Sequence, residues 1–204
     1  MADGAIGLGL DDETTLSRGA AVLMALEEMI YDPESQEGSL SMMAFKGLYT
    51  VVSGMVSKTD PDAMVINTPV GSIGIRGTQI GIELIDGETL TLVMMREADD
   101  YVGEVYLRNE GGVMVINQAN QVLFSDSFTQ APVIMASVGD DTLIRMFETT
   151  LVHLPRTAGS ANDYGTQATE GGGELDAFVT DSGETAEQEV LEEEGVEEEL
   201  PPPP

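Results

Sequence analysis

The chain has 204 residues, enough for one domain and an extension, and its formal charge at pH 7 is −29. Such acidity argues against partners with phosphate backbones and against binding to an anionic membrane surface. There is no cysteine, which excludes disulfide bonds, thiol catalysis and thiolate metal sites.

The composition separates a domain from a tail. Apolar residues make up 42% of the chain but aromatic residues only 5%, so the twelve methionines are expected to fill an aliphatic core. All eight basic residues lie between Arg18 and Arg156, and 14 acidic residues follow without a base. We therefore predict a folded domain over residues 1–156 and a disordered acidic linker or tail over residues 157–204. No apolar run approaches the roughly 20 residues of a membrane span, so no direct membrane insertion is expected.

The first predicted element is a β-hairpin. Ile6, Leu8 and Leu10 alternate with small residues, as in a strand, and the acidic run 11–13 forms the turn. A calcium site at these acids is the alternative, but no EF-hand spacing follows them. The turn is therefore expected to be solvated.

The next two segments contain conflicting signals. Residues from Ala20 to Ile30 favour a helix by propensity, although a pair of short strands is the alternative. From Ser39 to Ser57 a loose alternation predicts two strands, with a turn or bulge at Gly47 and at Gly54. A further strand is predicted from Met64 to Ile66.

The residue pattern in the second half of the domain is typical of an all-β protein. Runs of alternating residues flank Asp86-Gly87, which is the strongest hairpin signal in the chain. Three more short strands are predicted: Val102–Leu107, Val113–Ile116 and Gln121–Phe124. Turns every eight to twelve residues are typical of all-β folds. A short helix is predicted from Thr142 to Thr149, with Asp140-Asp141 as its cap.

One segment, Thr68–Thr78, combines a proline, three glycines and an arginine in the sequence TPVGSIGIRGT. Ile73 and Ile75 alternate and are expected in the core, so Arg76 points away from the core or lies in a corner. A guanidinium there can bind carbonyl or carboxylate groups. The structural interpretation, an arginine that holds a strand-to-strand corner, is favoured over an anion-binding arginine.

This segment resembles the core motif of the FecR domain family. The matching residues are Thr68, Pro69, Gly71, Gly74, Arg76, Gly77 and Thr78. Flanking segments extend the resemblance over about residues 2–123. It implies an all-β fold, a short-stranded roll or β-solenoid-like sheet, in which Ala20–Ile30 is extended despite its helix propensity. It also implies an extracytoplasmic location, whether periplasmic, cell-surface or secreted.

The sequence departs from the family pattern in two ways. It begins inside the pattern at Asp3-Gly4, so the resemblance predicts a domain truncated at its N-terminus. The best-known members are membrane-spanning sigma-factor regulators, and an acidic tail stands here where they carry a receptor-facing domain.

No catalytic, cofactor-binding or metal-binding residue is predicted. His153 is expected to be structural, on an apolar strand near the end of the domain. Paired carboxylates for glycoside cleavage would have to come from turns such as Asp11-Asp12 or Asp99-Asp100, where solvated acids are expected.

The leading hypothesis is a non-enzymatic structural or protein-interaction module of an exported or cell-envelope protein, without cofactors. Its partners are other protein domains, and nucleic acids are not among them. The first alternative is a periplasmic sensor domain in sigma-factor regulation. The second is a carbohydrate-binding surface module that uses Tyr101 or Tyr106 as exposed aromatic residues.

Overall fold

The computed structural model describes residues 4–60, 62–97 and 100–155, so the predicted tail lies outside the described residues. Within these described residues, two short helices and twelve strands follow one another. In order they are β1 Ile6–Gly9, β2 Thr15–Arg18, β3 Leu23–Tyr31, β4 Gly38–Val52, α1 Met55–Thr59, β5 Met64–Thr68, β6 Gly71–Arg76, β7 Gln79–Ile85, β8 Thr89–Met95, β9 Glu104–Asn109, β10 Gly112–Ile116, β11 Val122–Ser125, β12 Val133–Met135 and α2 Asp140–Val152.

The strands form a twelve-stranded sheet that curls into a nearly closed, barrel-like roll, which confirms the predicted all-β fold. One half contains β3, the first part of β4, β5, β6, β9 and β10. The other half contains β1, β2, the second part of β4, β7, β8, β11 and β12. We call them the first and second half-sheets.

Strand β4 joins the two half-sheets. Its first part pairs with β3 and, in parallel, with β5, whereas residues Gly47–Val52 pair with β2 and β7. Gly47 has φ +119°, a conformation that favours glycine, at the point where β4 changes partners. The prediction of two strands over residues 39–57 was therefore wrong: one long strand bends at Gly47, and Gly54 precedes helix α1.

The core lies between the half-sheets. Alternate residues of each strand point inward, so that Met42 and Ile73 of the first half-sheet join Ile82 and Leu92 of the second in one buried cluster. Strand β3 is extended, as the family resemblance implied, because β4 pairs along its full length. Tertiary pairing overrides its local helix propensity.

Helix α2 covers the outer face of the second half-sheet. Leu143, Phe147 and Leu151 pack against Val93 and Met95 of β8 in a second buried cluster. The helix was predicted, but its cap was not: Gly139 is the N-cap and no side chain caps the helix. Among the described residues no helix is long and apolar enough to cross a membrane.

Two details at the end of the domain differ from the prediction. His153 is not on a strand; it follows the last turn of α2, where its Nδ1 lies 2.9 Å from the carbonyl oxygen of Thr149. Strand β12 was not predicted. It has only three residues, all exposed, and its pairing with β11 defines it as a strand.

Candidate functional site

The segment Thr68–Thr78 begins as a tight turn between β5 and β6. Pro69 and Val70 form the turn, and Thr68 closes it because its Oγ1 donates to the carbonyl oxygen of Gly71 at 2.7 Å. Gly71 has φ +155°, which favours glycine. Pro69 lies between two strands, where its lack of a backbone N–H costs no ladder hydrogen bond.

Gly74, in the middle of β6, lies opposite Tyr106 of β9. A Cβ atom at Gly74 would overlap the Tyr106 ring, so the absence of a side chain lets the ring lie across β6. Tyr106 is only 8% exposed as a result. Tyr106 was predicted to be an exposed aromatic residue, and this prediction was wrong. Its ring packs across β6, a strand that is distant in sequence.

Arg76, the last residue of β6, reaches two carboxylates. Its guanidinium bonds to Asp62 at 3.0 Å and to Glu104 of β9, and its Cζ lies 5.4 Å from the centre of the Tyr106 ring. Arg108 lies over the same ring at 5.2 Å. The hydrogen bond that Arg76 donates to Asp62 raises the pKa of Arg76 above its ordinary value, which is already high enough to keep the guanidinium charged. Arg76 thus bridges β6, β9 and the loop before β5.

Gly77 and Thr78 turn the chain from the first half-sheet into the second. Gly77 has φ +60°, and Thr78 is fully buried. The Thr78 amide donates to Oγ of Ser53 at 2.8 Å, and its carbonyl accepts from the Ser53 amide at 3.1 Å. The corner after β6 is therefore attached to the end of β4.

A buried hydrogen-bond network continues from that point to the first hairpin. The Gly54 amide donates to Oγ1 of Thr14, and both the amide and the hydroxyl of Thr14 donate to the carboxylate of Asp12. Asp12 is fully buried, whereas Asp11 is exposed. The expected solvated turn was therefore wrong at Asp12, whose carboxylate is satisfied by the protein.

A cleft of about 730 Å³ opens beside this corner. Four separated parts of the chain line it: helix α1, the end of β6, the loop from β8 to β9, and the residue after β10. The lining residues are Ser57, Lys58, Arg76, Gly77, Glu97, Tyr101, Val102, Gly103, Glu104 and Asn117.

The charges in the cleft are arranged in pairs. Nζ of Lys58 lies 3.4 Å from Oε2 of Glu97, which is only 7% exposed, and Arg76 pairs with Glu104 across the cleft floor. Tyr101 is 51% exposed at the rim. Paired charges beside an exposed aromatic ring suit polar, directional contacts with a peptide or protein segment.

Of the residues that line this cleft, sequence reasoning singled out Arg76, Gly77 and Tyr101. It missed Lys58, Glu97 and Glu104. Local signals could not find them, because each lies in a different segment and the corner brings them together. Of the acids considered for glycoside cleavage, Asp11 and Asp100 are exposed. In the described part of the chain no three His, Asp or Glu residues are grouped to hold a metal ion.

No protein-family model matches the chain, and no curated protein sequence matches it. Solved structures do match the fold. Two crystal structures of a "putative anti-sigma factor" from Parabacteroides distasonis ATCC 8503 have a TM-score of 0.52, with 10% and 11% sequence identity. Each match covers 71% of this chain and 61% of the other chain, so the chain spans about three fifths of the length of these neighbours. The likeness shows a shared fold.

Proposed function

We propose that the chain is a non-enzymatic protein-interaction module, similar to FecR domains, and that the cleft beside the β6–β7 corner binds a segment of its partner. The proposal rests on the properties of this cleft. It has the volume of a binding site, an exposed tyrosine at its rim, and charged pairs fixed by four segments of the fold.

The module is proposed to work outside the cytoplasm. This part of the proposal rests on the resemblance of Thr68–Thr78 to the FecR motif. The lack of cysteine supports it, because a lone thiol is a liability in an oxidising compartment.

The proposed binding is tested with a photocrosslinking amino acid at Tyr101, in the full chain expressed in the cells that produce it. Ile85 is the matched control position, since it is 52% exposed and lies at the end of β7 outside the cleft lining. Discrete adducts are expected at Tyr101 and not at Ile85. Lys58→Glu should abolish them, because it places two like charges beside each other at the cleft wall. Identical adducts at both positions, or none at Tyr101, would contradict the proposal.

A second candidate is the sensor part of a sigma-factor regulator. The shared fold with the Parabacteroides protein favours it. A sigma-factor gene beside the gene for this chain, whose target promoters respond to deletion of the chain, is the expected observation. Promoters that do not respond would count against this candidate and leave the cleft proposal intact.

A further inference from the structure

Strand β3 forms one border of the first half-sheet. Eight of its nine residues pair with β4 on one side, from Leu23 opposite Lys46 to Tyr31 opposite Gly38. Among the described residues no strand pairs with its other side. An edge of this kind presents a row of N–H and C=O groups that can pair with a further strand.

The other borders of the sheet are shorter or partly covered. Strand β1 has four residues and β12 has three, whereas β10 has five and contacts β11 and β12. Strand β3 is held in place at its start, where the hydroxyl of Tyr49 donates to the carbonyl oxygen of Leu23 at 2.9 Å. It is therefore the longest described edge, and it is already in the extended conformation.

The side chains of β3 are apolar for an edge. Leu23, Leu26 and Ile30 are 56%, 51% and 59% exposed. Lysine, proline and a short length commonly protect edge strands, and β3 has none of these three, although it carries two glutamates and is irregularly paired. The pairing with β4 shifts between Leu23 and Met24 and again between Leu26 and Glu28, which leaves regular runs at residues 24–26 and 28–31.

Two carboxylates mark the centre of the edge. Glu28 accepts a hydrogen bond from Ser39, and Glu27 accepts one from Ser41 at 3.1 Å. Ser39 and Ser41 alternate with the buried residue Leu40, so both carboxylates lie on the outer face of the half-sheet. The serines belong to β4, so they hold the two negative charges on the outer face of the half-sheet, between β3 and β4.

These charges determine what can occupy the edge. A second copy, paired antiparallel about the middle of β3, would place Glu27 and Glu28 beside the same residues of its partner, in a chain whose formal charge is −29. We propose that β3 is a strand-addition site for an extended segment of another protein, with one or two basic residues flanked by aliphatic residues. Backbone pairing supplies the affinity, and Glu27 and Glu28 select the basic residues. The site is separate from the cleft, because no β3 residue lines the cleft.

The test uses the full chain and a capped peptide, Thr-Val-Thr-Lys-Val-Lys-Thr-Val-Thr, which presents two lysines between valines on one face when extended. Binding is measured by titration calorimetry. We expect a dissociation constant below about 100 μM, which corresponds to a weak but specific peptide complex. A peptide of the same sequence, N-methylated at alternate amides along one edge, keeps the charge but cannot form the ladder. It should bind at least about tenfold more weakly.

The charge contribution is tested in the protein. Glu27→Lys with Glu28→Lys should weaken binding of the unmodified peptide by about tenfold or more. The control, Glu110→Lys with Glu148→Lys, makes the same change in net charge at exposed positions outside β3 and should alter binding by less than about twofold. Unchanged melting temperatures show that both variants are folded.

Each other outcome overturns the proposal. Equal binding of the N-methylated peptide, or an equal loss in the control variant, would show attraction by net charge alone. No binding at about 1 mM peptide would show that β3 accepts no such strand. A dimer in solution that Leu26→Lys dissociates would show that the occupant is a second copy.

Discussion

Arg76 joins β6, β9 and the loop before β5 at the surface of the protein. Its side chain is 37% exposed, and its partners Asp62 and Glu104 are 69% and 34% exposed. Ion pairs in such surroundings contribute much less than buried ones, because water screens the charges. A loss of several kcal/mol, which a buried and paired arginine would imply, is therefore not expected.

Replacing Arg76→Ala should lower the free energy of unfolding by about 1 kcal/mol, the sum of weak ion pairs and a ring contact. Urea denaturation measures this loss. Arg108→Ala is the matched control, since Arg108 lies over the same ring at 5.2 Å. The loss at Arg76 should shrink in about 1 M salt, while the loss at Arg108 should change less. A salt-independent loss above about 3 kcal/mol would indicate a buried pair instead.

At the scale of elements, β6 and β9 are joined by a glycine facing a tyrosine. The Tyr106 ring lies over Gly74, and the guanidinium groups of Arg76 and Arg108 lie 5.4 and 5.2 Å from the ring centre. The sequence placed Gly74 in the segment that resembles the FecR motif, but it did not show which ring covers this glycine. That information depends on the pairing of two strands about thirty residues apart, which no local pattern contains.

Replacing Gly74→Ala should destabilise the protein by about 1–3 kcal/mol, because the added methyl group must displace the ring from a filled site. Thermal and urea unfolding measure the effect. In a Tyr106→Ala background the same substitution should cost less than about 1 kcal/mol, since the obstruction is gone.

Gly9→Ala serves as the control for introducing alanine into a strand, because no atom lies within 4 Å of the added Cβ atom. It should change stability by less than about 0.5 kcal/mol. Equal costs for Gly74→Ala in the presence and absence of the tyrosine ring would refute the close approach as the cause.

At the scale of the whole molecule, a buried network connects three turns that are distant in sequence. It runs from Asp12 through Thr14 to Gly54, and from the neighbouring Ser53 to Thr78. The Met55 amide adds a further bond to the carbonyl oxygen of Asp12 at 2.7 Å. The first hairpin, the end of β4 and the β6–β7 corner are thereby fixed to one another.

Asp12→Ala should therefore destabilise the protein by about 2–4 kcal/mol, because the buried amide and hydroxyl of Thr14 lose their acceptors. Asp12→Asn should cost less, since the amide oxygen still accepts one bond. Asp11→Ala, one residue away but exposed, should stay within about 0.5 kcal/mol of the parent protein. Equal unfolding midpoints for the two alanine variants would show that the network does not stabilise the fold.

The all-β class, the hairpin at Asp86-Gly87 and the final helix could be predicted, because periodicity and turn residues are local signals. The burial of Asp12 could not, since its sequence neighbours Asp11 and Glu13 are charged and its cover comes from residues 53–55. The cleft could not be predicted from the sequence either, because Lys58 and Glu97 lie 39 residues apart and meet only in the folded chain. The propensity of β3 was misleading because a partner strand determines its conformation.

The division of β4 between two half-sheets has a consequence for how the protein is made. The chain crosses between the half-sheets after β2, within β4, and again after β4, β6, β8 and β10, so their strands are interleaved along the sequence. A chain emerging from the ribosome therefore cannot finish one half-sheet before starting the other. The first lacks its last strand until residue 116 is present, and the second until residue 135. Most of the sheet must then assemble late and together, which is typical of slow folding governed by distant contacts.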